Sequence, residues 1–200
     1  MTRLTRYLAL AAGVILAAPI AAVAESVLGD DGLHKAPWMY ETFKDLQEDA
    51  ADAAAEGKQL LLIVEQRGCV YCSDMHAKTF PDPRVTAMLE EEFYPVQLNL
   101  HGDIEIVDTD GEALREKDAA RKWRVLFTPT MIFLPEDIDE SVSAVEQAVA
   151  VMPGYFSAGT TLDLLTWVDE RRDLMVDETG EDFQRYHARM IRERNDGDTR

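Results

Sequence analysis

The sequence predicts an α/β fold in which a central mixed β-sheet is covered by helices on both faces. Three observations predict it. A short, wholly apolar run, Leu60-Leu61-Leu62-Ile63-Val64, fits a strand buried on both sides. Stretches with helical spacing alternate along the chain with stretches that read as strands. Their order is helix, strand, helix, strand, helix, two hairpin-like strands and a helix, which is a βαβ unit followed by ββα.

Residues 25–37 are polar and contain glycine, an irregular lead-in to the aromatic cluster Trp38, Tyr40 and Phe43. Phe43, Leu46, Ala50, Ala53 and Ala54 recur at helical spacing, and Gly57 is placed to end that helix. The first strand follows over 59–65. Residues 72–78 begin a helix that Pro81 and Pro83 interrupt. Asp82-Pro83 opens the next, with Val85, Met88 and Leu89 as its apolar face. Val96, Leu98 and Leu100 alternate in a strand over 94–100. The acidic stretch 101–114 reads as a loop and 116–123 as a helix. A strand over 129–134 follows, and 144–151 can pair with it as a hairpin. Residues 161–175 form an amphipathic helix with Thr160 or Thr161 as its cap. In the charged stretch 177–200, Phe183, Tyr186, His187, Met190 and Ile191 keep helical spacing, which favours a docked helix over a disordered tail.

Residues 1–24 read as a cleaved signal peptide. Arg3 and Arg6 supply the basic start, 8–18 the uncharged apolar segment, and Ala22-Val23-Ala24 the small-residue cleavage site. That places the protein in the periplasm, with one domain over 25–175 and a charged tail over 176–200. The formal net charge of the whole chain is −18, and the acidic excess grows once Arg3 and Arg6 leave. Such a chain repels nucleic acid and anionic membrane surfaces. Protein thiol or disulfide partners and a monomeric state are expected.

The only two cysteines are Cys69 and Cys72, spaced C-x-x-C directly after the apolar strand. A disulfide between them closes a very short loop and removes little chain entropy, so redox chemistry is a better reason for the pair than stability. Where a strand gives way to a helix, the first thiol sits at the helix N-terminus. Unpaired N–H groups and the helix dipole stabilise a thiolate there. Arg67 either adds to that stabilisation as a nearby cation or faces solvent. Glu65 is either a proton acceptor or a water-exposed carboxylate at the strand end. His76 is most simply a solvated surface histidine; the other reading has it steady the thiolate or relay a proton. Zinc needs four ligands, and only His76 lies near the cysteines in sequence, with His34, His101 and His187 distant, so no metal is expected. The acidic run Asp103, Glu105, Asp108 and Asp110 fails as an EF-hand, because Ile106 and Lys117 fall on obligatory ligand positions.

Several motifs together resemble the thioredoxin superfamily over about 38–171. They are Gly57-Lys58, Cys69-Val70-Tyr71-Cys72 followed by Met75-His76, Asp82-Pro83-Arg84-Val85, Gly102-Asp103, Asp110-Gly111-Glu112, Thr128-Pro129-Thr130 and Pro153-Gly154-Tyr155. Within the superfamily the chain is similar to exported thioredoxin-like proteins of the SoxW type. The resemblance implies the thioredoxin fold and a cis peptide between Thr128 and Pro129. It implies that Cys69 attacks the partner's sulfur, that Cys72 resolves the mixed disulfide, and that Thr128 and Pro129 hold the partner backbone. The redox-active disulfide is then the only cofactor, and a membrane thiol-electron transporter is the expected donor. Gly68 stands where thioredoxins carry tryptophan, and Val70-Tyr71 replaces Gly-Pro. Ile63 stands where thioredoxins bury an aspartate, and Glu65, two residues on along the same strand face, is the candidate substitute for it. A reductant of exported proteins, in sulfur oxidation or a related pathway, is the preferred reading. A disulfide-forming oxidase and a non-catalytic binding module are the alternatives.

Overall fold

The computed structural model describes residues 26–198, so the signal-peptide reading of 1–24 lies outside the described residues. The predicted architecture is present: a four-stranded mixed sheet with helices on both faces. One of its two inner strands, β3 (Gln59–Glu65), follows two short elements, β1 (Val27–Leu28) and β2 (His34–Lys35), and the first helix, α1 (Leu46–Ala55). Beside β3 run β4 (Phe93–Asn99), parallel, and β7 (Thr130–Phe133), antiparallel, while β8 (Ala150–Pro153) closes the far edge against β7. Every residue of β3 is buried, as a strand covered on both faces requires.

The period-2 alternation of β3 divides the core. Leu60, Leu62 and Val64 pack with Leu46, Ala50 and Ala53 of α1 and with Ala119 and Trp123 at the end of α4 (Glu116–Lys122). Leu61 and Ile63 face the opposite layer. There they meet Val85 and Leu89 of α3 (Pro83–Glu91) and Leu164, Leu165 and Val168 of α6 (Ala158–Asp169).

Helix α1 starts at Leu46, not Phe43: Asp45 caps it by accepting from the N–H groups of Gln47 and Glu48. Phe43 lies before the cap and is almost fully exposed. The helix ends on Gly57, whose φ of +73° suits glycine, with Gly57 N–H donating to Ala54 O and Lys58 N–H to Ala53 O. Asp49 is the one acid that α1 turns inward. Burial, reinforced by Asp45, Asp52 and Glu48, pushes its carboxyl up to about 6 against the opposing hydrogen bond from Thr42. The folded state therefore holds a proton that the unfolded chain releases near pH 4, and stability falls as pH rises from about 4 through about 6. Asp49→Asn is expected to stabilise the protein by about 1–2 kcal/mol at pH 7.5 and by almost nothing below about pH 4. Urea unfolding at both pH values measures this; an equal effect at the two would contradict it.

The acidic stretch 101–114 is not a plain loop. It contains an antiparallel hairpin of β5 (Glu105–Val107) and β6 (Ala113–Arg115). Asp108, fully buried at its tip, accepts from Thr109 N–H, Trp123 Nε1 and the backbone N–H of Ala144, and Lys122 pairs with Asp108, Asp110 and Glu112. The bond to Ala144 also explains a second difference. Residues expected to begin a hairpin strand instead start a short helix, α5 (Ala144–Gln147), and the strand β8 follows it.

Residues 72–78 do form helix, but it opens two residues earlier, as α2 (Val70–Asp74), and continues as a π-helical turn over Met75–Thr79. The cap of α6 is Ser157, whose hydroxyl accepts from Thr160 N–H; Thr161 is buried inside the helix. That helix stops at Asp169, short of the expected Met175, because Arg171 turns left-handed at φ +53°. A 3₁₀ turn and α7 (Val176–Thr179) follow, then α8 (Phe183–Asp198) packs on α6. Tyr186 joins the core, and buried Asp163 of α6 binds His187 Nδ1 at 2.5 Å and both terminal nitrogens of the Arg194 guanidinium at 2.6 and 2.9 Å.

Candidate active site

Strand β3 ends at Glu65, and the chain turns through Gln66, Arg67 and Gly68 before α2 begins. Gly68 has φ +72°, a conformation that a side chain would strain. Cys69 is the N-cap of α2, half-buried, and Cys72 is buried one turn on. The two are joined in a disulfide with their Cα atoms 5.2 Å apart.

Two donors converge on Cys69 Sγ. The backbone N–H of Cys72 lies 3.0 Å away and the hydroxyl of Thr128 3.3 Å. Hydrogen bonds to the sulfur, with the helix N-terminus behind them, favour its ionised form once the disulfide is opened. Thr128 belongs to the segment entering β7. Its peptide bond to Pro129 is cis, its carbonyl oxygen lies 3.5 Å from Cys69 Sγ, and Pro129 O accepts from Gly154 N–H. The fold thus brings Thr128, and with it the cis bond to Pro129, to Cys69 from some sixty residues along the sequence.

Behind the cysteines lies a buried polar cluster. Glu65 Oε1 meets His76 Nε2 at 3.1 Å, and Glu65 Oε2 accepts from Gln97 Nε2 at 2.6 Å. Glu65 and His76 are 1% and 4% exposed, so neither is the water-facing residue that sequence allowed. His76 follows Cys72 by four residues on one continuous helix, which puts both on its inner face. The imidazole stacks on His34, lies parallel to Trp38 and meets the edge of Phe80. Burial, then the neighbouring His76, lower the pKa of His34, against the pull of Glu65. Gln97 continues the chain outward, accepting from Lys35 Nζ at 2.7 Å and donating to His34 O. His76 Nδ1 is buried without a hydrogen-bond partner among the described residues.

Residues 46–166 match the thioredoxin-like domain family. The chain belongs to that family. Among solved structures, a thioredoxin-fold protein from Helicobacter pylori superposes with a TM-score of 0.52 at 17% identity, covering 70% of this chain and 86% of the other. A thioredoxin from Thermus thermophilus gives a TM-score of 0.47 at 23% identity, covering 62% and 83%. The C-terminal domain of DsbD from Neisseria meningitidis, in its reduced form, gives 0.43 at 14% identity, covering 60% and 91%. No curated protein matches the sequence.

Two segments of this thioredoxin-like chain lie outside the matched region, and one of them shapes the site. The turn joining β1 to β2 receives Arg67, whose guanidinium donates to Asp30 O and Asp31 O. Arg67 is therefore tied to this turn, and Gly32 leaves room for it: a Cβ there would lie 2.5 Å from Arg67 Nε. Between the turn and Cys69 is a cavity of about 610 Å³ walled by Leu28, His34, Arg67 and Val70. On the opposite side of Cys69, Tyr71, Phe127, Thr128 and Tyr155 wall another of about 550 Å³. Trp38 packs at the site through His76, whereas Tyr40 stacks on Tyr94. Sequence reasoning missed Gln97 and Lys35, and it weighed His34 only as a distant metal ligand. Gln97 carried a usable signal: it is a polar side chain in a strand that is otherwise buried and apolar there, flanked by Val96 and Leu98.

Proposed function

We propose that the protein is an exported thiol–disulfide oxidoreductase that works as a reductant of exported proteins. The observation that carries this is the half-buried Cys69 sulfur, bonded to buried Cys72 and receiving hydrogen bonds from Cys72 N–H and the Thr128 hydroxyl. In the reduced protein the Cys69 thiolate attacks a substrate disulfide. One new S–S bond forms to the substrate, and one substrate sulfur leaves as a thiolate that takes a proton from water. Cys72 then loses its proton and attacks Cys69 Sγ, releasing the second substrate thiol. The substrate disulfide gains two electrons and the Cys69–Cys72 dithiol loses two.

Buried thiols give up protons reluctantly, so the second step needs an acceptor. In the tautomer where His76 Nε2 donates to Glu65 Oε1, Nδ1 keeps its lone pair. In the disulfide form that nitrogen has no hydrogen-bond partner among the described residues. We assign it, with Glu65 behind it, as the acceptor of the Cys72 proton, and Gln97 and Lys35 as the connection to solvent. Thr128 and Pro129 hold the partner's backbone beside Cys69. The signal-peptide reading of residues 1–24 supports a periplasmic location. The likeness to SoxW-type proteins supports a sulfur-oxidation or related pathway and a membrane thiol-electron transporter as donor.

Equilibrating the purified protein in glutathione or dithiothreitol buffers and reading the Cys69–Cys72 couple by alkylation tests the direction. A reductant is expected near thioredoxin's potential, about −270 mV. A value towards about −120 mV makes the protein an oxidase. A disulfide that excess dithiothreitol leaves intact makes it a binding module and overturns the proposal.

A further inference from the structure

The chain carries a large acidic excess, −18 overall, yet one hollow beside the redox site has the opposite character. His101, Lys117, Arg121 and Arg124 line a cavity of about 540 Å³, and none of its lining residues is acidic. Lys117 and Arg121 are each paired with an acid outside the lining, Asp103 and Asp118 respectively. Arg124, just past α4 at φ +57°, is exposed and forms no ion pair among the described residues. The hollow adjoins the cleft over Cys69. Leu126, largely exposed, lines both, and Gln66 of the cleft contacts His101 Nε2 at 3.1 Å.

We propose that this hollow recognises an acidic flank on the redox partner. Resting on the oxidoreductase reading, it adds the partner's chemistry: an extended protein segment with its cysteine at Cys69, apolar side chains on Leu126 and Phe127, and Asp or Glu against Arg124. The reach is short. Cys69 Sγ touches Thr128, and Thr128 is four residues from Arg124, at most about 14 Å of extended chain, so the acids lie within about four residues of the partner's cysteine. Elsewhere the field of the protein repels acidic partners, but at physiological salt charges more than about 8 Å away are largely screened. Contacts inside the hollow then dominate, and they select which cysteine of an acidic partner is presented and in which orientation. A nucleic-acid strand offers negative charge too, but the acidic surface around the hollow opposes a long polyanion.

The test uses mixed disulfides of short cysteine peptides with a chromophoric thiol. One peptide has two glutamates three and four residues before its cysteine, one has them after it, and a control has glutamines at all four positions. Initial rates for the full-length protein are compared with those for Arg124→Glu, with a small uncharged disulfide as reference. We expect the wild type to favour one glutamate peptide over the glutamine peptide by about fivefold through KM, with kcat unchanged. Arg124→Glu removes or reverses the preference, 0.5 M salt weakens it, and the small disulfide reacts equally with both proteins. Equal KM values for all three peptides, or a preference that survives Arg124→Glu, overturn the docking proposal while the small disulfide still reports the redox activity. Failure of the wild type on the small disulfide overturns the oxidoreductase reading and this proposal with it.

Discussion

Replacing Cys69 by serine is expected to abolish disulfide exchange, lowering kcat/KM on the order of 10³-fold or more. Replacing Cys72 by alanine is expected to stop the reaction half-way, with the partner still attached. The asymmetry follows from the geometry. Cys69 is the half-buried sulfur at the mouth of the cleft, and both nearby hydrogen-bond donors, Cys72 N–H and the Thr128 hydroxyl, point at it. A serine hydroxyl at that N-cap keeps the hydrogen bond to residue 72 and hence the helix, but it is not ionised near neutral pH and attacks sulfur poorly. Cys72, at 1% exposure, is out of reach of a bulky partner and meets only the sulfur that Cys69 presents. Its removal leaves the first attack intact and blocks release. Non-reducing electrophoresis and mass spectrometry of Cys72→Ala mixed with a disulfide substrate should show a stoichiometric adduct on Cys69, absent from the Cys69→Ser, Cys72→Ala double variant. Equal turnover by wild type and Cys69→Ser, or an adduct on another residue, would sink the assignment.

Local order in the chain makes the site partly legible in the amino-acid sequence. The strand 59–65, the turn into the cysteine pair and the Gly57 stop all rest on interactions between near neighbours in sequence, and those are readable. The same holds for the placement of Glu65 on the face of Ile63, because strand alternation is local. His76 misleads for the opposite reason. Nothing near it in sequence marks it as buried; what buries it is His34 and Trp38, about forty residues upstream. The β5–β6 hairpin is hidden likewise. Asp108 has the look of a loop residue, and only the remote partners Trp123, Lys122 and the N–H of Ala144 reveal that it is a buried acceptor. Buried polar residues are thus the ones that sequence patterns misplace, since their partners come from distant segments. Here Glu65, His76 and Gln97 form such a buried cluster behind the cysteine pair.

Glu65→Gln should show whether that buried cluster moves a proton. The variant keeps the shape of the network: the new amide oxygen accepts from Gln97 and the new amide nitrogen donates to His76 Nε2, provided the imidazole shifts its hydrogen to Nδ1. Folding should therefore survive, at a cost of about 1 kcal/mol. Catalytically the exchange removes the anion and occupies the lone pair assigned to the Cys72 proton. The attack of Cys69 on a disulfide does not use that lone pair and should keep its rate. The resolving step should slow by about 10²-fold near pH 6.5. Raising the pH lets a thiol ionise without help, about tenfold more per unit below its pKa, so the deficit should shrink steadily and nearly vanish above about pH 9. His76→Gln should give a smaller loss with the same pH dependence, and the double variant should be no slower than Glu65→Gln alone, because both residues act on one proton. Single-turnover stopped-flow, following mixed-disulfide formation and decay separately from pH 6 to 9.5, reads all three quantities. A deficit that stays constant across this range would mean that Glu65 only positions the helix, and an unchanged resolving rate at pH 6.5 would remove Glu65 from the proton path.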